Sequence, residues 1–331
     1  MSRPSRSRLS ASARLKESLD PFLIAMFAIV GFAWVFPARG DGAVALGYAT
    51  VVAIALLFFL NGLRIPTREA VAGLKHWRLH IVVLSITFVA FPIVGVAAKL
   101  FEGWLLAPVL YSGILFLTLL PSTVQSSIAF TSIAGGNVGA AICSASLSSM
   151  VGILISPLLA AWLLGTQGNG VSLGSFLTLG AQVILPFILG QLLRRWLRKL
   201  VDRFDTATKF VDRGSILLVV YAAFGASVRD GVWQGIAATA IAAVLVVNAG
   251  ILGLMMCLSY YGPALFGFSE ADRRTVLFCG SKKSLTTGVP IAAVLFSGPM
   301  LGLIVLPLIL FHQMQILICG IIANRLARKP A

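Results

Sequence analysis

Carboxylates are scarce in this 331-residue chain: Asp and Glu together number 11, against 26 Lys and Arg. All 11 fall in tails, in loops or at the ends of apolar runs, so no acidic pair stands inside an apolar segment to act as general acid and base. Histidine is rarer still, and His76, His80 and His312 are too scattered to form a ligand set. The cysteines Cys143, Cys257, Cys279 and Cys319 sit singly in apolar segments, without CxxC or Cys/His spacing, which excludes a disulfide framework and a structural metal site. No GxxxxGK[ST] or HExxH occurs, which argues against ATP-driven work within this chain and makes an intramembrane enzyme the weakest class.

What is abundant is apolar. Hydrophobic residues make up 58% of the chain and charged ones only 11%, far from the usage of soluble domains. Runs close to the roughly 20 residues needed to cross a ~30 Å hydrocarbon core recur throughout. They predict ten membrane helices near residues 20–37, 44–63, 79–99, 105–134, 138–163, 172–193, 214–228, 233–261, 272–296 and 300–324. The Arg/Ser-rich residues 1–19 followed by an apolar run resemble a secretory signal. That run is longer than most h-regions and no clear small-x-small site precedes the next span, so it is taken as a retained first helix.

Charge tests the count. Cations gather in residues 1–19, in 64–78, in 194–213, at Arg273 and Arg274, and after Arg325, whereas the alternate connections hold only Arg39, Lys99 and Arg229. By the positive-inside rule both termini are cytoplasmic, and the net charge of +15 belongs to loops at a membrane surface, with no nucleic-acid partner implied. The expected organisation is a tail over 1–19, a transporter domain over 20–325 and a tail over 326–331. Within 194–213, Trp196, Leu197, Leu200, Val201 and Phe204 recur at helical spacing among cations, which predicts either an amphipathic helix on the membrane surface or a solvated basic loop.

Two cations remain after this accounting, Lys282 and Lys283, in the middle of the ninth span. Gly280, Gly288 and Pro290 surround them with Ser281, Ser284 and Thr286, and the fourth span carries a matching polar stretch with Pro121, Gln125, Ser126 and Ser127, closing at Gly135, Gly136 and Asn137. Proline breaks the helical ladder and hydroxyls replace its bonds, so both spans are expected to be discontinuous. They are the fourth members of two five-helix halves. An odd number of spans per half forces opposite orientations, which predicts an inverted repeat (about 20–163 and 172–324) with the binding site at the interrupted helices. Small and hydroxylated residues also serve ordinary membrane helix packing.

Lysines at a helix end can snorkel, but Arg274 lies eight residues before Lys282, about 12 Å of helix, so the pair is central. Adjacent residues project about 100° apart. Lys282 is therefore assigned to the site and Lys283 to a cavity or a backbone carbonyl. Two roles stay open: a positive charge that replaces a sodium ion and titrates to couple transport to H+, or a contact for a carboxylate or phosphate on the solute.

The stretches "FLNGLRIPTREA", "LPSTVQSSIAFTSIAGGNVGAA" and "FCGSKKSLTTGVP", within a match over about 20–325, resemble the SBF-like branch of the sodium/bile acid symporter superfamily. The resemblance implies an all-α protein of ten helices in two inverted repeats. The first, second, sixth and seventh would form a panel, and the fourth and ninth would cross in a core. It implies secondary transport of a small organic, anionic solute by alternating access in a bacterial inner membrane, with no oligomer required. It also implies Na+ sites: the family's Ser-Asn pair falls on Ser126 and Ser127, a fifth-helix threonine on Ser144 and a third-helix glutamine on Thr87. The ninth helix departs from the pattern, because the family's glutamate falls on Phe278 and a glutamine on Lys282. An ammonium ~6 Å from a sodium ion repels it by roughly 3 kcal/mol at an effective dielectric of ~20, which leaves Na+ or H+ as the coupling ion. The missing glutamate also supports a second class, a membrane regulator or scaffold that keeps the fold without transport.

Overall fold

The computed structural model describes residues 21–64, 76–165, 178, 180–296 and 298–328. The N-terminal tail, the cations Arg68, Lys75 and Lys329, and the start of the predicted sixth span lie outside the described residues. The described chain is helical. Six stretches are long and apolar enough to cross a membrane: Gly40–Arg64, Trp77–Phe101, Val138–Gly165, Asp205–Arg229, Ala238–Phe266 and Leu301–Leu326; Ile24–Val35 and Pro108–Thr118 are shorter apolar helices. Large apolar side chains such as Phe27, Trp34, Val52, Ile93 and Trp162 face outward, as lipid contact requires.

Helices α1 (Pro21–Val35) and α2 (Gly40–Arg64) pack with α8 (Leu185–Arg203) and α9 (Asp205–Arg229). The α2–α8 contact runs through Gly62 and Gly190: a Cβ on Gly62 would overlap the Phe187 carbonyl, and one on Gly190 the Phe59 carbonyl. The stretch expected as a surface helix or loop over 194–213 is the end of α8 and the beginning of α9, interrupted only at Phe204. Val201 packs on Leu60 and Leu63, and Arg64 pairs with Asp212, so apolar and ionic contacts carry both helices past the predicted boundaries.

The remaining helices are α3 (Trp77–Ser85), α4 (Phe91–Ala97), α5 (Pro108–Thr118), α6 (Gln125–Ile133), α7 (Val138–Gly165), α10 (Ala238–Tyr261), α11 (Glu270–Gly280), α12 (Leu285–Leu295) and α13 (Leu301–Leu326). Three interruptions matter, and proline or glycine accompanies each. Between α3 and α4 the chain widens into a π turn at Ile86–Ala90: the Phe91 N–H reaches the Ile86 carbonyl, and the next donor in that register would be Pro92, which has none. Between α5 and α6, Pro121 stops the ladder and the Ser122 N–H turns to Ser148 Oγ at 3.1 Å. Gly152 admits this break, because a Cβ there would overlap the Pro121 ring. Between α11 and α12, residues 281–284 unwind after Gly280, and Ser284 caps the new helix by accepting from Thr287 N at 3.2 Å.

The far end of α6 is closed with equal care. Gly135, at φ +70°, and Gly136 turn their N–H groups back to Ser132 at 3.2 Å and Thr131 at 2.8 Å. The Ala134 carbonyl takes Nη1 of the buried Arg274 at 2.8 Å. Arg274, counted from the sequence as a loop cation, is thus a cap that ties α11 to α6.

Candidate functional site

The two breaks meet. Ser284 N donates to the Pro121 carbonyl at 2.8 Å, and Ser127 Oγ donates to the Phe278 carbonyl at 2.9 Å, so the start of α6 is bound to the end of α11. Thr123 Oγ1 shares hydrogen bonds with Ser126 Oγ at 2.8 Å and Ser127 Oγ at 3.1 Å. Lys282 and Lys283, both 0% exposed, extend from the opposite break into this polar junction.

The lysines have different surroundings. Lys283 Nζ donates to three carbonyls, Thr87 at 2.8 Å and Thr118 and Leu120 at 2.7 Å, with the Phe91 ring centroid 4.1 Å away. Its three donors are used. Lys282 Nζ donates to Ser126 Oγ at 3.2 Å and lies 4.6 Å from the Phe130 ring centroid. Among the described residues no carboxylate pairs with it, so an ammonium removed from water keeps one hydroxyl and one aromatic face as partners.

The unwound residue 283 is held by Gln315 of α13, which the sequence reading passed over. Its Oε1 accepts from Lys283 N and its Nε2 donates to Lys283 O, both at 2.8 Å. The backbone fixes which amide atom is which, so the second Nε2 hydrogen meets His312 Nδ1 at 2.9 Å and that nitrogen accepts. The available signal was a glutamine inside an otherwise apolar helix.

Other predicted residues have other placements. Thr87 contributes its carbonyl, since its hydroxyl donates to Val83 O at 2.8 Å. Ser144 is 2.7 Å from His80 Nδ1, and Ser281 bonds back to Leu277 O at 2.5 Å. Ser284 is the cap of α12, and its hydroxyl lies 3.1 Å from that of Thr286, which is exposed, as is Gln125. Asn137 belongs to the far end of α6, where its Nδ2 donates to Asp272 at 3.2 Å. Nearby, burial works to raise the Glu270 carboxyl, but hydrogen bonds from Tyr260 and Arg274 and the charges of Arg273 and Arg274 outweigh it and hold the group below the usual carboxylate range. Of the hydroxyls matched to the family's Na+ positions, Ser127 Oγ donates to the Phe278 carbonyl, Ser144 Oγ pairs with His80 Nδ1, and Ser126 Oγ accepts from Lys282 Nζ.

Apolar helices long enough to cross a membrane, interrupted around buried polar groups, are those of an integral membrane protein. The chain belongs to the SBF-like CPA transporter family, which it matches over residues 20–328. It is 47% identical over 311 residues to the uncharacterized protein PA2026 of Pseudomonas aeruginosa (94% of this chain, 93% of the relative). It is 44% identical over 316 residues to YfeH of Escherichia coli, designated a symporter by name only (96% and 95%). It is 30% identical over 312 residues to sodium/bile acid cotransporter 7 of Danio rerio (91% of each).

Proposed function

We propose that this protein is a secondary transporter that moves a small organic anion by alternating access, with the solute's carboxylate or phosphate meeting Lys282 at the junction of α5–α6 and α11–α12. The observation that carries the reading is the Lys282 ammonium, buried with one hydroxyl and one ring for partners. An anion supplies the missing counter-charge without an acidic residue. The N-terminal ends of α6 and α12 add amide dipoles of favourable sign. Coupling runs to H+ through Lys282, or to Na+, the ion in the printed name of the fish relative.

The same reading takes the chain as ten spans in two inverted repeats, with α1, α2, α8 and α9 as a panel beside a core of the other helices. Support comes from the two broken spans in corresponding places and from the mutual packing of α1, α2, α8 and α9. The clustering of cations at one set of helix ends supports cytoplasmic termini and an inner-membrane location, within the domain boundaries 1–19, 20–325 and 326–331.

Flux into reconstituted vesicles tests it. Uptake of an anionic solute is expected to fall at least tenfold in Lys282→Ala and to be unchanged in the surface variant Lys209→Ala. Uptake that survives Lys282→Ala removes the role given to this residue. Absence of flux for a panel of organic anions, with a thermal midpoint indifferent to anions, Na+ and pH, would favour a scaffold that retains the fold.

A further inference from the structure

Three main-chain carbonyls converge here in a way that intact helices prevent. Pro92 lacks the N–H that would take Thr87 O in the π turn. The Pro121 break, with Ser122 N diverted to Ser148, releases Thr118 O, and Leu120 O is released where α5 ends. The oxygens surround one point at 2.7–2.8 Å, and the Phe91 ring closes it at 4.1 Å. Converging carbonyl dipoles over an aromatic face are the surroundings of a dehydrated monovalent cation. The group in that position is Nζ of Lys283. Three acceptors call for three N–H donors, so it is held as an ammonium.

We propose that the carbonyls of Thr87, Thr118 and Leu120 form a monovalent-cation site whose resident cation is the protein's own Lys283. The protein then carries tethered, as part of its fold, a cation that would otherwise have to be bound from solution, and free Na+ has no access to this position. The inference shares the junction with the proposed solute contact but depends neither on Lys282 nor on transport, so either can fail alone.

The test is chemical rescue of Lys283→Ala, which removes a propylammonium-sized piece. Thermal midpoints of purified wild type and variant are compared in sodium, ammonium, propylammonium and tetramethylammonium chloride at one ionic strength. The wild type is expected to be indifferent to the cation. Lys283→Ala is expected to melt lower and to recover saturably in ammonium or propylammonium, but not in tetramethylammonium, which is too bulky for the cage. A variant that cannot be purified in tetramethylammonium but can in propylammonium is the same result in stronger form. Equal behaviour in both salts, including failure to purify in either, overturns the proposal. Lys283→Met, which fills the space without a charge, is expected to melt below wild type and to show no rescue; a midpoint equal to wild type would also overturn it.

Discussion

A side chain can replace a missing peptide, and Gln315 does so for residue 283, offering an acceptor to its N–H and a donor to its carbonyl. Burying either group unpaired costs about 1–3 kcal/mol, so Gln315→Met is expected to lower unfolding stability by about 2–6 kcal/mol. Unfolding in urea at fixed detergent would read this, and a midpoint matching wild type would refute the clamp. At this scale the sequence is partly legible. Lys282 and Lys283 stand out because charge at membrane depth is expensive and local composition reveals it. Their partners are hidden: Thr87, Thr118 and Ser126 lie 196, 165 and 156 positions from the lysines they bind, and two of the three contribute carbonyls, which every residue possesses. Nothing in residue type distinguishes a carbonyl that a proline has set free.

Helix interruptions, in contrast, are written in the chain near where they occur. Pro121 and the Gly280–Ser284 stretch mark two of them, because proline removes a donor locally and glycine weakens the helix wherever it falls. The π turn at Ile86–Ala90 was not read, although Pro92 sits beside it. Residues 194–213 are helical on both sides of Phe204, as the amphipathic spacing of Trp196 to Phe204 led one to expect, and the contacts that hold them there, Val201 on Leu60 and Arg64 with Asp212, are tertiary. Close helix contact is equally tertiary. Gly62→Ala is expected to destabilise by about 1–3 kcal/mol, since the added methyl meets backbone and must separate α2 from α8. Gly31→Ala, with nothing within 4 Å of the added methyl and inside α1, should not destabilise and should gain up to about 1 kcal/mol in the same urea unfolding assay.

Over the whole molecule, the distribution of Lys and Arg is the most economical guide. It separates loops into two sets before any helix is placed, because membrane insertion responds to charge summed over segments and tolerates error in each boundary. Reporter fusions that fluoresce only in the cytoplasm are expected to light up at both ends of the chain. One dark and one lit terminus would require an odd number of crossings and would dismantle the two-repeat arrangement.

The ammonium of Lys283 has a mechanical meaning at this scale. Through it the widened turn before α4, the end of α5 and the gap between α11 and α12 are laced into one knot of charge-assisted bonds. Pulling any strand of that knot away strands a bare charge in a dry interior. Any displacement of these three segments is therefore expected to carry the knot whole.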